Sequence, residues 1–126
     1  MNIGLGIGII IAVIIIVISG FAVMEMIKPK VSNEKLAEFA KCLTEKGAKM
    51  YGAYWCMHCK SQKEEFGDAF QYINYVECDL GGGKTAQECI EKGIDGYPKW
   101  IINEKKYDGK QTFQELAQAS GCELKQ

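Results

Sequence analysis

The chain has 126 residues, of which 15 are basic and 16 acidic, giving a formal net charge of −1. This length predicts one domain of modest size, and the near-zero charge gives no electrostatic basis for binding nucleic acid. Six cysteines are a high and even number for so short a chain, which favours their pairing in an oxidising compartment.

The first predicted element is an apolar helix at the N-terminus. The stretch from Ile3 to Met24 carries no charged side chain and consists mostly of Ile, Val and Gly. At about 1.5 Å per residue it exceeds the roughly 30 Å of a bilayer core, so residues 1–27 are predicted to form a single transmembrane anchor. A cleaved signal peptide is the alternative, because Gly20 and Ala22 form a small-x-small site. The absence of a preceding Lys or Arg and the length of the run favour the uncleaved anchor.

Two signals disagree about the side of the membrane on which the rest of the chain lies. Lys28, Lys30 and Lys35 follow the span and no basic residue precedes it, so the positive-inside rule indicates a cytoplasmic domain. The cysteine content favours the opposite side, where disulfides persist. We expect a single-pass membrane protein whose domain is extracytoplasmic, on a periplasmic, lumenal or external face.

A domain over residues 34–126 follows the anchor and a linker over residues 28–33. Its predicted elements are, in order, a helix capped by Ser32 or Asn33 and ended by Gly47, a strand over 48–55, a helix over 57–70 that bends at Gly67, a strand over 72–77, a helix over 85–93 opened by a capping box of Thr85 and Glu88, strands over 99–103 and 106–110, and a helix opened by a capping box of Thr112 and Glu115. This order predicts an α/β fold with a mixed β-sheet sandwiched by helices.

The motif Cys56-Met57-His58-Cys59 lies where the first strand is predicted to lead into a helix. Two cysteines separated by two residues can form and break a disulfide, and a sulfur at a helix N-terminus is stabilised as a thiolate by unpaired N–H groups and the helix dipole. His58 would add to that stabilisation. The motif in this context predicts a redox-active dithiol that needs no metal or organic cofactor.

Three other interpretations of the motif are weaker. In one, the pair is a closed structural disulfide. In another it is half of a zinc site, but zinc would need a second close pair, and Cys78 and Cys89 are too far apart in sequence to supply it. The third is a non-catalytic copper-binding module that uses Cys56, Met57 and Cys59 as soft ligands.

A second candidate feature is Gly96-Tyr97-Pro98, which opens a predicted strand. Proline cannot donate to a ladder of hydrogen bonds, so Pro98 indicates an edge or a bend. If the Tyr97–Pro98 bond is cis, the backbone groups of Tyr97 are exposed beside the dithiol and can pair with an extended substrate peptide. An ordinary proline at the start of a strand is the alternative, and the residues themselves do not decide between the two.

The motif residues and the element order resemble those of a thioredoxin-fold domain. The residues that carry this resemblance are Tyr54-Trp55-Cys56-x-His58-Cys59 and Tyr97-Pro98. More specifically, residues 49–56, 75–78 and 96–103 resemble the thioredoxin-like domain found fused or coupled to bacterial and plant vitamin K epoxide reductase homologues. The resemblance runs from about Lys41 to Gly121, which is nearly all of the predicted domain.

In that family the domain takes electrons from folding substrate proteins and passes them to a four-helix membrane enzyme that reduces a quinone. The resemblance therefore implies a membrane-anchored thiol–disulfide oxidoreductase that acts on cysteine-containing proteins as the redox partner of such an enzyme. It implies that Cys56 reacts with substrate and that Cys59 resolves the mixed disulfide. It also implies an apolar substrate platform of Trp55, Tyr97 and Pro98. A thioredoxin-like reductase that supplies electrons is the alternative.

Two positions depart from the pattern that the chain resembles. Met57 stands where the family usually has proline, a residue that tunes the potential of the dithiol, so the direction of electron flow is left open. Met50 is apolar where thioredoxins that resemble this domain carry a buried acid that helps to deprotonate the second cysteine. This substitution weakens the case for a fast general reductase.

Four cysteines lie outside the motif. The resemblance implies a structural disulfide between Cys78 and Cys89 across the loop at Gly81–Gly83, worth on the order of 3 kcal/mol of stability. Two free buried thiols and a second relay pair are the alternatives. Cys42 and Cys122 are left over, and we do not expect them to pair, because this fold usually places the helices that carry them on opposite faces.

Overall fold

The computed structural model describes residues 3–25 and 31–125, with side chains for residues 6–18 and 31–125. The chain divides into two compact units, Met1–Lys30 and Val31–Gln126, and each is considered by itself. The described residues of the first unit form helix α1 (Ile3–Glu25). Across the described part of the chain, no helix is both long and apolar enough to cross a membrane.

Part of the predicted linker, and two of the lysines that bear on membrane orientation, lie outside the described residues. The linker was predicted over residues 28–33, and the two lysines are Lys28 and Lys30. The second unit begins at Val31, and its first helix already starts at Asn33.

The second unit has the predicted mixed α/β composition. Its elements are α2 (Asn33–Glu45), β1 (Lys49–Gly52), α3 (Met57–Phe66), a 3₁₀ helix (Gly67–Tyr72), β2 (Tyr75–Glu77), α4 (Gln87–Glu91), β3 (Lys99–Ile102), β4 (Lys105–Asp108) and α5 (Phe113–Ser120). The strand predicted from residue 72 starts later, because Gly67 adopts a positive φ of 51° that ends α3 and the chain continues as a 3₁₀ helix.

The four strands form one mixed sheet in the order β2-β1-β3-β4. The β1 and β2 strands are parallel and are connected through α3, whereas β1–β3 and β3–β4 are antiparallel. Alternate residues of the strands enter two cores: Met50 and Trp100 belong to the larger core, and Tyr51 belongs to the smaller one. The larger core also receives side chains from α2, α3 and α5, whereas α4 contributes to the smaller one, so the sheet lies between helices.

The caps predicted from the sequence are confirmed at two helices and wrong at a third. Ser32 caps α2, and Thr112 with Glu115 forms the predicted capping box of α5. The capping box predicted for Thr85 and Glu88 is wrong, because α4 begins after Ala86 without a side-chain cap. The Glu88 carboxylate is instead bound by residues of β1, which are remote in sequence.

Contrary to expectation, Cys42 and Cys122 form a disulfide, with their Cα atoms 6.0 Å apart. Among the residues that the structure describes, no strand of this sheet precedes α2, so no β-α-β crossover fixes the face on which α2 lies. The helix buries its apolar side in the same core as α5, where the rings of Phe39 and Phe113 are 6.0 Å apart, centroid to centroid. The two helices therefore lie on one face, which brings the two cysteines together.

Candidate redox-active site

The dithiol motif occupies the junction between β1 and α3. β1 ends at Gly52, and after a short turn Cys56 becomes the N-cap of α3 with extended backbone angles (φ −78°, ψ 116°). Its sulfur accepts a hydrogen bond from the backbone N–H of Cys59 at 3.1 Å. A cap sulfur in this position faces the unpaired N–H groups and the positive end of the helix dipole, both of which stabilise a thiolate.

Cys56 and Cys59 form a disulfide, with their Cα atoms 5.2 Å apart. The exposed fraction of Cys56 is 7%, and that of Cys59 is 1%. An incoming sulfur can therefore reach Cys56 more easily than Cys59. This asymmetry suits the two predicted roles, with Cys56 exchanging with a partner and Cys59 acting from the interior.

The two residues between the cysteines are exposed on the first turn of α3. Met57 exposes 74% of its surface, and His58 is exposed beside it. Among the residues with described side chains, no group of three or more His, Cys, Asp or Glu is placed to hold a metal ion. With both sulfurs bonded to each other, the arrangement is suited to exchange of the S–S bond.

The predicted substrate platform lies beside the dithiol. The rings of Trp55 and Tyr97 meet edge to face with centroids 5.9 Å apart, and 58% of Trp55 is exposed. The Tyr97–Pro98 peptide bond is cis, Pro98 is buried and Tyr97 is half-buried. Tyr54, preceding Trp55, is also largely exposed. Together these side chains present an aromatic surface next to Cys56.

Two carboxylates that the sequence analysis missed hold this aromatic surface in position. The Glu77 carboxylate accepts a hydrogen bond from the Tyr54 backbone N–H at 3.1 Å. The Asp79 carboxylate accepts one from the indole N–H of Trp55 at 2.6 Å, and this bond, with a second from the Gly81 N–H, holds the pKa of Asp79 below its usual range. Glu77 is the last residue of β2 and Asp79 lies two residues after it, so the end of that strand fixes the approach to the dithiol.

A buried lysine fixes the segment that contains Tyr97 and Pro98. Only 6% of the Lys99 side chain is exposed, and its ammonium group binds the Asp108 carboxylate at 2.7 Å and also the Asp95 carboxylate. The hydrogen bonds to Asp108 and Asp95 raise the pKa of Lys99. The ion pairs tie this segment to β4 on one side and to its own preceding turn on the other.

Gln62 joins α3 to the sheet and was also missed. Its side chain is fully buried, and its carbonyl oxygen accepts hydrogen bonds from the indole N–H of Trp100 at 3.2 Å and from the backbone N–H of Gln111 at 2.8 Å. Because Gln62 lies one turn after Cys59 on α3, these bonds fix the helix that carries the dithiol. A lone Gln in a charged helical stretch gives no sequence signal of such a role.

Cys78 and Cys89 form a third disulfide, on the other face of the sheet from the dithiol, with Cα atoms 5.8 Å apart. Their exposed fractions are 0% and 1%. The bond closes the loop that contains Gly81–Gly83 and joins the end of β2 to α4. Neither cysteine is the N-cap of a helix, and neither sulfur reaches the surface. The geometry is therefore that of a structural bond.

The fold and the position of the dithiol at the strand–helix junction are those of a thioredoxin-like domain. No family model matches the chain. Over 92 aligned residues the chain is 47% identical to a curated protein of Arabidopsis thaliana, the thiol-disulfide oxidoreductase LTO1. The alignment covers 69% of this chain but only 24% of LTO1, so the chain spans about a quarter of that relative's length.

Proposed function

We propose that the chain is a thiol–disulfide oxidoreductase that exchanges disulfides with cysteine-containing proteins through Cys56 and Cys59. The observation that carries this proposal is the disulfide at the N-terminus of α3, in which Cys56 keeps a small exposed fraction (7%) and Cys59 is almost fully buried (1%). The similarity to a thiol-disulfide oxidoreductase supports the same chemistry.

The exchange begins with the oxidised chain and a substrate thiolate. The substrate sulfur attacks the Cys56 sulfur, a mixed disulfide forms, and the bond to Cys59 breaks with its electron pair left on the Cys59 sulfur. A second substrate thiolate then attacks the substrate sulfur of the mixed disulfide and releases Cys56 as a thiolate. The substrate is oxidised by two electrons, the dithiol is reduced by two, and the helix N-terminus stabilises the departing Cys56.

Insulin reduction and refolding of reduced ribonuclease test this proposal directly. We expect exchange by the intact chain and a loss of at least about a thousandfold in Cys56→Ser, because the reacting sulfur is gone. Cys59→Ser is the matched variant: it should accumulate mixed disulfides with substrate, because the resolving sulfur is missing. Unchanged exchange in Cys56→Ser would refute the proposal.

The direction of electron flow is measured by the reduction potential of the dithiol. We propose an oxidant, since three disulfides in one chain suit an oxidising compartment. A potential well above about −270 mV supports this direction, and a potential near that value indicates the reductase instead.

We further propose that residues 1–27 anchor the chain in a membrane, with the domain on the extracytoplasmic side, and that the redox partner is a quinone-reducing membrane enzyme like vitamin K epoxide reductase. The uncharged run from Ile3 to Met24 and the three disulfides support this arrangement. Labelling of reduced thiols on intact cells with an impermeant reagent tests the orientation, and a protected dithiol contradicts it. Capture of the membrane enzyme by the Cys59→Ser variant tests the partner.

A further inference from the structure

Behind the dithiol, the Tyr75 hydroxyl and the Cys59 sulfur both lie beside Gly52. A Cβ atom placed on Gly52 would lie 3.0 Å from the Cys59 sulfur, 3.0 Å from the Tyr75 hydroxyl oxygen and 2.9 Å from the edge of the Tyr75 ring. Gly52 has no positive φ that would itself require glycine. The missing side chain therefore leaves room for both the hydroxyl and the sulfur at this point.

The Cys59 sulfur is a difficult place for a negative charge. Cys59 is 1% exposed and belongs to the larger core, whose buried members are mainly apolar. When the disulfide opens, an electron pair is left on this sulfur, and a buried anion without a hydrogen-bond donor is strongly destabilised. The nearby Tyr75 hydroxyl is such a donor.

Tyr75 is held as a neutral hydroxyl in a fixed orientation. Its hydroxyl donates a hydrogen bond to the Glu77 carboxylate at 2.8 Å, and the Lys63 ammonium lies 3.7 Å from the centre of its ring. The titratable groups that face the phenol are Lys63 of α3, Glu77 of its own strand and Tyr97 of the segment before β3. Burial, and then Glu77, raise the pKa of Tyr75, so the proton stays on the oxygen.

We infer that Tyr75 is a catalytic hydrogen-bond donor that stabilises the thiolate of Cys59 while the dithiol exchanges with substrate; this inference rests on the proposed oxidoreductase function. As the bond between Cys56 and Cys59 breaks, rotation of the Tyr75 hydroxyl moves its hydrogen from the Glu77 carboxylate to the Cys59 sulfur. The phenol keeps its proton, and the thiolate takes up a proton from solvent after substrate has left. The same hydrogen bond assists the reverse step, in which Cys59 attacks the mixed disulfide as a thiolate.

Glu77 can release the Tyr75 hydroxyl without losing all its partners. Its other oxygen accepts hydrogen bonds from the backbone N–H groups of Tyr54 and Asp79, both at 3.1 Å. The carboxylate therefore remains bound after the hydroxyl has turned. One acid thus connects the loop on which substrate lies with the donor behind Cys59.

The decisive experiment measures the pKa of Cys59 in the full chain with Cys56→Ser, where the other four cysteines remain in disulfides. Thiolate absorbance at 240 nm is followed against pH, and circular dichroism checks the fold. Adding Tyr75→Phe should raise the pKa of Cys59 by at least about one unit, which is a tenfold loss of thiolate at a given pH. Tyr51→Phe is the matched control, because the Tyr51 hydroxyl donates to Glu88 at 2.9 Å in the smaller core, and it should leave the pKa unchanged.

A second variant predicts the opposite sign. Glu77→Asp keeps the negative charge but shortens the side chain, so it weakens the acceptor that competes for the Tyr75 hydroxyl and should lower the pKa of Cys59. A change of charge cannot explain such a fall, and a purely structural role of Tyr75 does not give it. This variant also decides the matter if Tyr75→Phe does not fold. An unchanged pKa in Tyr75→Phe, an equal rise in Tyr51→Phe, or a rise in Glu77→Asp overturns the inference. Absence of exchange by the intact chain would instead refute the proposed function, while the titration of Cys59 would still report on the hydrogen bond.

Discussion

The disulfides Cys56–Cys59 and Cys78–Cys89 lie on opposite faces of one sheet, and each has a tyrosine–glutamate hydrogen bond nearby. The first pair is at the N-terminus of a ten-residue helix with one sulfur near the surface, whereas the second is buried at a five-residue helix. The comparison shows how different the surroundings of two cysteine pairs in one domain can be. A helix end and a route for an incoming sulfur make a bond suited to exchange, and full burial makes a structural one.

The bridge between Cys42 and Cys122 should show the largest effect on stability, because it closes the longest loop. Its sequence separation is 80 residues, for which loop-closure entropy gives about 4.5 kcal/mol. We expect the double alanine variant to lose about that much free energy of unfolding in urea, while the folded fraction keeps exchange within about twofold. A loss of exchange at temperatures where the variant is folded would show that this bond belongs to the site.

Removal of Cys78 and Cys89 should come second and sharpens the comparison directly. Their separation is 11 residues, which gives about 3 kcal/mol, and the separation of three in Cys56 and Cys59 gives about half as much. We therefore expect the two double alanine variants to differ in urea unfolding and in insulin reduction. The variant without Cys78 and Cys89 should lose more stability and keep exchange, whereas the variant without Cys56 and Cys59 should lose exchange. Loss of exchange in both folded variants would contradict the division of roles.

Gly52→Ala should lower both stability and exchange. The added methyl group overlaps Tyr75 and Cys59, so one of them must move, at a cost of about 1–3 kcal/mol in free energy of unfolding. The pKa of Cys59 should rise with it, as measured in the Cys56→Ser background. Gly96→Ala is the control, since a Cβ there meets nothing within 4 Å and its φ is not positive. Equal effects in the two variants would show that contact across Gly52 is unimportant.

The smallest predicted effect is the pH dependence of stability that Glu88 causes, on the face of the sheet that carries the disulfide between Cys78 and Cys89. Hydrogen bonds from Lys49 and then Tyr51 hold the pKa of Glu88 below its ordinary value of 4.5. Because the pKa of Glu88 is lowered in the folded state, its charged carboxylate contributes to the free energy of unfolding at pH values above 4.5. This contribution is lost as the pH falls through the pKa that Glu88 has in the folded state. The contribution is less than about 1 kcal/mol, because 39% of the side chain is exposed. Unfolding in urea at pH 7, 5 and 3 should therefore show Glu88→Gln less stable than the intact chain at pH 7 and equal to it at pH 3; a constant difference would contradict this.

Local patterns predicted the elements well, and long-range contacts account for the errors. The capping box of Thr112 and Glu115 formed as predicted, since both partners are on one helical turn. The same pattern at Thr85 and Glu88 failed, because Lys49 of β1 reaches the Glu88 carboxylate at 2.6 Å. Spacing within a few residues says nothing of a lysine that the folded sheet brings alongside.

The candidate site was predictable in its cysteines and not in its supporting groups. The spacing of Cys56 and Cys59 is itself the chemical signal, whereas the pairing of Cys42 with Cys122 depends on which face α2 occupies. Tyr75 and Glu77 gave a partial signal, because residues two apart on a strand share a face. The position of Cys59 across Gly52 depends on how α3 lies on the sheet, and no local pattern encodes that.

The bond between Cys42 and Cys122 turns most of the domain into a covalent ring. All four strands and the dithiol lie within the 80 residues that it spans. A single cut by a protease in a surface loop, such as the three glycines after Leu80, therefore releases no fragment while this bond is intact. The residues after Cys122 stay close to α2 as well, since Lys125 pairs with Glu38 of that helix at 3.6 Å. The sheet and the dithiol thus lie in a loop that one disulfide closes.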